Sequence, residues 1–376
     1  MSGYKGNILL ITTEFPPGPG GIGNHGYNLA KYLSLNEYKV IVLTASDFTD
    51  EKSEISFDEK QNFEIIRFKR FSNRIQTYKL RIKKINETVS SNNFTHIIFS
   101  GRFSLYASLF LGKFRNRIKF IAIAHGGDIN CDSVIEKYFI KKSLKGMRLI
   151  IPVSNYSGTK LPSGLNAEKI KVIPNGFDFE NIDELKPGGY KADEKRLRLV
   201  TVGTIWPRKG HHNVLSNLGE IVKKYPDTIY TITGRHADLT KVKDYFNDER
   251  INMHIKVTGQ VSNEELYKIL KDSEIFILLS ESQTSGDFEG FGIAVLEANY
   301  FGLPAIGSEN SGLEDAINNG VSGILVNPAD TKSITDAIDK IKLNYEAFRN
   351  GALEWSLQHH WSKIIIRYIN SIEKIN

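Results

Sequence analysis

Two glutamates eight positions apart, Glu289 and Glu297, flank Gly290-Phe291-Gly292 and then an apolar run of good helix formers, Ala294 to Ala298. A glycine pair that opens a helix lets backbone N–H groups approach an anion, and the helix start adds about half a positive charge there. Together these make a phosphate site. Further along the helix, Glu297 can accept two hydrogen bonds from a vicinal diol such as a ribose. The same residues also fit an ordinary glycine turn followed by solvated glutamates. Three other places hold groups capable of chemistry. Gly20-Gly21-Ile22-Gly23 can come close to a phosphate, or can simply turn the chain. His125 opens the run His-Gly-Gly-Asp, ending at Asp128; a lone histidine is more often structural than catalytic. Arg208 and Lys209 follow Pro207 and offer two adjacent cations or a solvated turn. The chain has no D-x-D, G-x-S-x-G, H-E-x-x-H or G-x(4)-G-K-[ST] motif, which weakens metal-anchored transfer, serine hydrolase, zinc peptidase and P-loop readings.

Short β-branched apolar runs must position these groups. NILLIT (7–12), KVIVLTA (39–45), HIIFS (96–100), KFIAIA (119–124) and LIIPVS (149–154) read as parallel strands buried on both faces. The glycine loop lies between the first run and a segment with Leu29, Tyr32 and Leu33 at helical spacing, giving strand, loop, helix, strand. His125 falls at the carboxyl end of its strand. The series restarts after Pro187-Gly188-Gly189 with LRLVTVG (197–203), TIYTITG (228–234), NMHIKVTG (252–259), EIFILLS (274–280), PAIGS (304–308) and SGILVN (322–327). Two successive βα series predict two doubly wound α/β domains with ligands at strand carboxyl ends, in the cleft between the domains. A hinge is expected at Asn175-Gly176, after a short strand KVIP, giving domains 1–176 and 177–354. Residues 355–376, with Trp361, Ile364, Ile365, Tyr368 and Ile369 at helical spacing, predict a terminal helix packing back on the first domain.

The run "DFEGFGIAVLEANYFGLPAIGS" resembles the E-x(7)-E signature of retaining glycosyltransferase family 4, which has the GT-B fold of two facing Rossmann-like domains. Other pieces match in the family's order: "EFPPGPGGIGNHGYNLAKYL", "AHGGD", "VIPNGFD", "VGTIWPRKGHH" and "GVSGILVNPAD". Within the family, the lead-in "SQTSGDFEGFG" looks most like the phosphatidylinositol mannosyltransferase-like subgroup. The resemblance implies transfer of a hexosyl group from a nucleoside-diphosphate sugar to an acceptor hydroxyl with retention, in surface polysaccharide, lipopolysaccharide or glycolipid synthesis. It implies that Glu289 contacts the donor sugar and that the backbone of Gly290, Phe291, Gly292 and Ile293 holds sugar and diphosphate. Glu297 would bind the ribose, Lys209 the diphosphate, and Gly21 in the glycine loop the β-phosphate or acceptor. His125 would stabilise the reacting sugar, and Asp128 would orient its loop or bind acceptor. No cofactor or metal is implied, so lysine and helix dipole must offset the charge on the leaving group. One position departs from the family: Gly203 is followed by Thr204 where arginine is usual, and Arg208 is the candidate to supply that charge. A GT-B epimerase or phosphorylase, or a non-catalytic nucleotide-sugar binder, remains the alternative.

With 376 residues, 40% apolar and 24% charged, the chain has the composition of a two-domain globular protein. Its net charge of +6 divides unevenly: residues 1–176 carry +12 and residues 177–376 carry −6. The basic half admits an anionic membrane, an acidic acceptor or nucleic acid, and no nucleic-acid motif supports the last. Residues 67–84, RFKRFSNRIQTYKLRIKK, hold eight Lys or Arg and no acid; from Phe71 onward, apolar residues interleave with them. This predicts either a basic amphipathic surface for an anionic membrane or an ordinary solvated helix. One cysteine, Cys131, excludes an intrachain disulfide. With no signal-peptide pattern or spanning run, the expected location is cytoplasmic, peripheral on the inner membrane face at most.

Overall fold

The computed structural model describes residues 3–18, 20–46, 50–69, 72–179 and 196–375, Arg74 without its side chain. Pro187-Gly188-Gly189 lies outside them. The chain divides into two compact units, one of residues 1–175 with 361–376 and one of residues 176–360.

The first unit holds a six-stranded sheet: β1 (Gly6–Thr12), β2 (Tyr38–Ser46), β3 (Glu64–Lys69), β4 (His96–Ser100), β5 (Lys119–Ala124) and β6 (Leu149–Pro152). The spatial order is β3-β2-β1-β4-β5-β6, and every pairing is parallel. Ile8, Leu9, Leu10 and Ile11 of β1 are fully buried, as a strand covered on both faces requires. The order reverses beside β1, so β1 and β4 open a switch point at their carboxyl ends. There Thr12 pairs with Ser100, and Ser100 with Ile123, so the chain after β5 emerges beside both.

The second unit repeats this arrangement with β7 (Arg196–Val202), β8 (Asp227–Thr233), β9 (Ile255–Gly259), β10 (Ile275–Leu278), β11 (Ala305–Ser308) and β12 (Gly323–Val326). Its order, β12-β11-β10-β7-β8-β9, puts the switch point between β7 and β10. Its core joins Leu197, Leu199, Ile275 and Ile277 of the sheet to Val214, Leu218 and Ile338 of the covering helices.

Four details depart from the sequence reading. Residues 171–174 form no strand; Ile170 makes only an isolated bridge to Ile150. The unpredicted β3 forms the sheet edge, where half-exposed positions let charges interrupt the apolar run. The segment 355–376 is not one element. Trp355 belongs to the helix Tyr345–Gln358 of the second unit, and a separate helix, Trp361–Glu373, belongs to the first. That last helix buries Trp361, Ile364, Ile365 and Tyr368, with Trp361 stacked on Tyr32 at 6.2 Å between ring centroids. Burial of each such side chain contributes about 1.5–3 kcal/mol, enough to hold the chain end on its own unit.

The basic segment 67–84 is likewise two elements, the end of β3 and the start of the helix Arg74–Ser91, whose first N–H groups are capped by Asn73. Arg67 turns inward, 2.7 Å from Asp58 and 3.6 Å from Glu54. Arg81 is buried against the Phe103 ring, and Lys69 pairs with Glu51. Arg70 and Phe71 lie outside the described residues. Ile85 is buried in the core, while Ile75, Tyr78 and Leu80 face outward with Lys79, Lys83 and Lys84. No helix among the described residues is long and apolar enough to cross a membrane.

Candidate functional site

In the second unit the predicted residues converge at the β7–β10 switch point. After β7 the chain makes one 3₁₀ turn, Pro207–Lys209, and enters the helix His211–Lys224 through Gly210 at φ 65°. A Cβ at Gly210 would lie 1.6 Å from the Leu279 carbonyl oxygen, so only glycine lets this turn sit against the end of β10. The Glu281 N–H donates to the Arg208 carbonyl at 3.0 Å and ties the two loops together. Glu289, 7% exposed, receives Lys209 Nζ and Arg208 Nη1 on the same oxygen, Oε2, each at 2.7 Å. Arg208 Nε also reaches Asp287 at 3.1 Å. Burial alone would raise the Glu289 carboxyl, but Lys209 and Arg208 outweigh it and hold the group below its ordinary value.

Gly292, at φ 91°, caps the helix Ile293–Tyr300. That left-handed φ is what favours glycine here, and a Cβ would also come within 2.4 Å of the Leu313 side-chain tip. Glu297 lies one turn into this helix, half-buried. Desolvation pushes its carboxyl up to about 7, with Lys209 pulling the other way. One lysine therefore acts electrostatically on both glutamates of the E-x(7)-E pair. Phe291 is buried behind them.

In the first unit, the predicted residues gather at the β1–β4 switch point. Gly21 begins the helix Gly21–Leu35 just after Gly20, and His125 follows β5. His125 Nε2 is 2.9 Å from the Ser100 hydroxyl at the end of β4. Burial lowers its pKa, Asp128 opposing, so the imidazole is neutral at pH 7. Asp128 is buried, and its Oδ1 accepts the backbone N–H groups of His125 at 2.9 Å and Gly126 at 2.8 Å. Those two bonds fix the turn of the loop from His125 to Asp128. The Asp128 Oδ2 has no hydrogen-bond partner.

Several supporting residues escaped the sequence reading. Arg102, first residue of the helix after β4, donates to the carbonyls of Gly127 and of Asn130, the latter at 2.9 Å, and clamps the histidine loop. His25 meets the His125 ring edge-on at 4.8 Å and lies 2.9 Å from the Tyr368 hydroxyl through Nε2. Asp287 holds Arg208 from the other side. The positions of Arg102, after a strand beside the switch point, and Asp287, two before Glu289, were signals available in the sequence. The His25–Tyr368 contact, 343 residues apart, left none. Among the described residues no cluster of three or more His, Cys, Asp or Glu is placed to hold a metal ion.

Two family models tile the chain. "Glycosyltransferase Family 4" matches residues 19–181 and "Glycosyl transferases group 1" residues 183–355. The chain belongs to the family 4 glycosyltransferases. This glycosyltransferase is 22% identical to the GDP-mannose-dependent alpha-(1-6)-phosphatidylinositol monomannoside mannosyltransferase of Mycobacterium tuberculosis, over 95% of each chain. It is 30% identical to the amylovoran biosynthesis glycosyltransferase AmsK of Erwinia amylovora, over 57% of this chain; the match spans about half of that relative's length, 53%. Among solved structures, Anabaena HepE in complex with UDP and glucose superposes with a TM-score of 0.76 at 18% identity, covering 98% of this glycosyltransferase and all of HepE. Sucrose-phosphate synthase from Thermosynechococcus elongatus superposes with a TM-score of 0.77 at 17% identity, covering 99% of each chain. The two parallel six-stranded units are thus those of the GT-B fold.

Proposed function

We propose that this glycosyltransferase moves a hexosyl group from a nucleoside-diphosphate sugar to an acceptor hydroxyl with retention of configuration and without a divalent metal. The observation that carries the reading is the buried Glu289 carboxylate gripped by Lys209 and Arg208 beside a glycine-capped helix start. Relatives and neighbours support a nucleotide donor: the mycobacterial relative is named GDP-mannose-dependent, and HepE was crystallised with UDP and glucose.

The chemistry follows from charge. When a diphosphate enters, Lys209, Arg208 and the N–H groups at the start of the helix Ile293–Tyr300 take its negative charge. Arg208 thereby supplies the cation that Thr204 cannot. Glu289, released from part of its pairing, accepts hydrogen bonds from the sugar hydroxyls, and Glu297 those of the ribose. As the bond from the anomeric carbon to the phosphate oxygen breaks, the same cations stabilise the leaving diphosphate. The acceptor oxygen bonds to that carbon on the face being vacated, and its proton passes to the departing phosphate oxygen. Neutral His125 acts as a hydrogen-bonding dipole toward the reacting sugar, and Gly21 leaves room for the phosphate or acceptor.

The enzyme is proposed to work at the cytoplasmic membrane face, held by the helix Arg74–Ser91 through Lys79, Lys83, Lys84, Ile75 and Tyr78. The decisive experiment incubates the protein with a panel of UDP-, GDP- and ADP-sugars in EDTA and determines the anomeric configuration of product by NMR. Turnover with retention is expected. Inversion, or activity only with added metal, overturns the mechanism; sedimentation with anionic liposomes that ignores both charge and salt overturns the membrane site.

A further inference from the structure

A cavity of about 190 Å³ opens in the first unit where β5 and β6 begin, at the opposite end of β5 from His125. Arg115, Arg148 and Lys169 line it, together with Phe120 and Gly146, and no carboxylate does. The three cations come from separate places in the chain. Arg115 follows the 3₁₀ helix Leu109–Phe114, Arg148 immediately precedes β6, and Lys169 ends the short turn Ala167–Lys169. Folding thus brings three like charges to one concave place, where they repel one another with no acid in the wall to offset them. Other arginines of this unit are paired: Arg67 has Asp58 and Glu54, and Arg102 has Glu136. Arg115, Arg148 and Lys169 make no ion pair and no side-chain hydrogen bond among the described residues.

Arg115 is held in place by packing. Its guanidinium lies 5.7 Å from the Phe120 ring centroid and against the bare Cα of Gly146, where a Cβ would fall 2.6 Å from Nη1. Its Nε is sealed from water and has no acceptor, a state that buried N–H groups ordinarily avoid. Since no carboxylate holds this head, its fork of N–H donors is available to a bidentate oxygen ligand.

We propose that this pocket binds a phosphate group, free or as the ester of a small metabolite, at a site separate from the donor diphosphate site of the second unit. Three cations facing one ligand favour a dianion over a carboxylate. Arg115 grips two of its oxygens, and Arg148 and Lys169 offset the remaining charge. At 190 Å³ the pocket is smaller than the roughly 300–1,000 Å³ that drug-sized ligands occupy, which suits a small anion. The bound anion links three chain segments and so stabilises the folded first unit.

The test titrates the whole protein with inorganic phosphate, glycerol 3-phosphate and acetate at constant ionic strength, with UDP and GDP at saturation to fill the donor site. Calorimetry is expected to show one phosphate per chain, bound at least about tenfold more tightly than acetate, and the melting temperature should rise with phosphate to a plateau. Arg115→Gln and Arg148→Gln should each weaken phosphate about tenfold. Gly146→Ala should do the same, because its Cβ pushes the guanidinium aside at a φ of −82° that alanine adopts readily. Arg148 is exposed, so Arg148→Gln should keep the melting temperature of the phosphate-free protein and separate lost binding from lost folding. Lys39→Gln, which removes an exposed cation outside the pocket, should bind phosphate as before. Tighter glycerol 3-phosphate than inorganic phosphate supports an ester as occupant, and equal affinity supports the free ion. Phosphate bound no more tightly than acetate, or binding untouched by Arg115→Gln, Arg148→Gln and Gly146→Ala, overturns the proposal. So does phosphate binding that disappears in Lys209→Met, which would place the anion at the donor site instead.

Discussion

The two units share one strand order and build opposite sites on it. At the β7–β10 switch point the side chains are charged and paired, with Arg208 and Lys209 against Glu289 and Asp287. At the β1–β4 switch point the groups are neutral or capped by backbone: His125 on the Ser100 hydroxyl, Asp128 on two N–H groups, His25 on a tyrosine. Net charge foretells neither site: the acidic unit sets Arg208 and Lys209 against its own carboxylates, and the basic unit buries a carboxylate and two neutral imidazoles. Regional charge therefore describes what a domain meets at long range, while the site's few desolvated groups decide what it holds.

Breaking the charged site should have the largest effect. Glu289→Ala should lower transfer about 10²–10³-fold, by loss of a group matched to the transition state. Because it also frees Lys209 and Arg208, UDP or GDP binding should hold or tighten. Calorimetry showing nucleotide affinity lost in parallel with transfer would contradict the assignment. Lys209→Met should act in reverse, weakening nucleotide binding about 10-fold or more and reducing stability by about 1–3 kcal/mol, because Glu289 keeps only Arg208 in a buried place. Affinity unchanged by Lys209→Met would move the diphosphate elsewhere.

Much of this contrast is legible in the residues themselves, for different reasons. The central strands are continuous apolar runs, so β1, β4, β5, β7 and β10 declare themselves. Edge strand β3 does not, because its pattern E-I-I-R-F-K looks like the start of a basic surface. Arg67 shows why that surface reads wrongly: its partners Glu54 and Asp58 come from another element, invisible to any count of local charge. The charged site is legible because Glu289, Glu297 and the Arg208-Lys209 pair fall in short motifs with fixed spacing. The neutral site is only half legible. His125 and Asp128 lie in one loop, whereas Arg102, His25 and Tyr368 join it through folding over long separations.

The neutral site should yield by smaller steps. Asp128→Ala removes the acceptor for two backbone N–H groups, costing about 1–2 kcal/mol of stability by denaturant unfolding and roughly tenfold in transfer. Nucleotide binding should not change, since it belongs to the other unit. A loss of nucleotide affinity would erase the division of labour. Glu297 sharpens the contrast from the charged side by pH. Its carboxyl, ordinarily near 4.5, is raised to about 7 in the folded protein. Between those values the unfolded chain releases this proton and the folded chain keeps it, so the group's contribution to stability falls as pH rises through the window and stays low above it. Glu297→Gln cannot ionise. Unfolding at pH 4 should therefore match wild type, and at pH 8 the variant should be more stable by roughly 1–3 kcal/mol, allowing for partial exposure. Equal stability at both pH values would show the carboxyl already solvated.

The smallest effect is expected at Tyr368, and it tests whether the terminal helix merely covers the first unit or also positions His125. The Tyr368 hydroxyl lies 2.9 Å from His25 Nε2, and His25 presents its ring to His125 at 4.8 Å. Burial, with His125 adding to it, holds the His25 pKa well below its usual value, so this contact is between neutral groups. Tyr368→Phe keeps the packing and removes one buried hydrogen bond, worth about 1 kcal/mol. His25 remains pressed against Trp361 at 5.2 Å, so its ring loosens rather than leaves. Transfer should then fall a few-fold through kcat, with KM for the donor unchanged and the acid limb of the pH profile moved as His25 loses its hydroxyl partner. If Tyr368→Phe lowers stability but leaves the pH profile in place, the helix is a cover, and His125 is positioned by Ser100 and Asp128 alone.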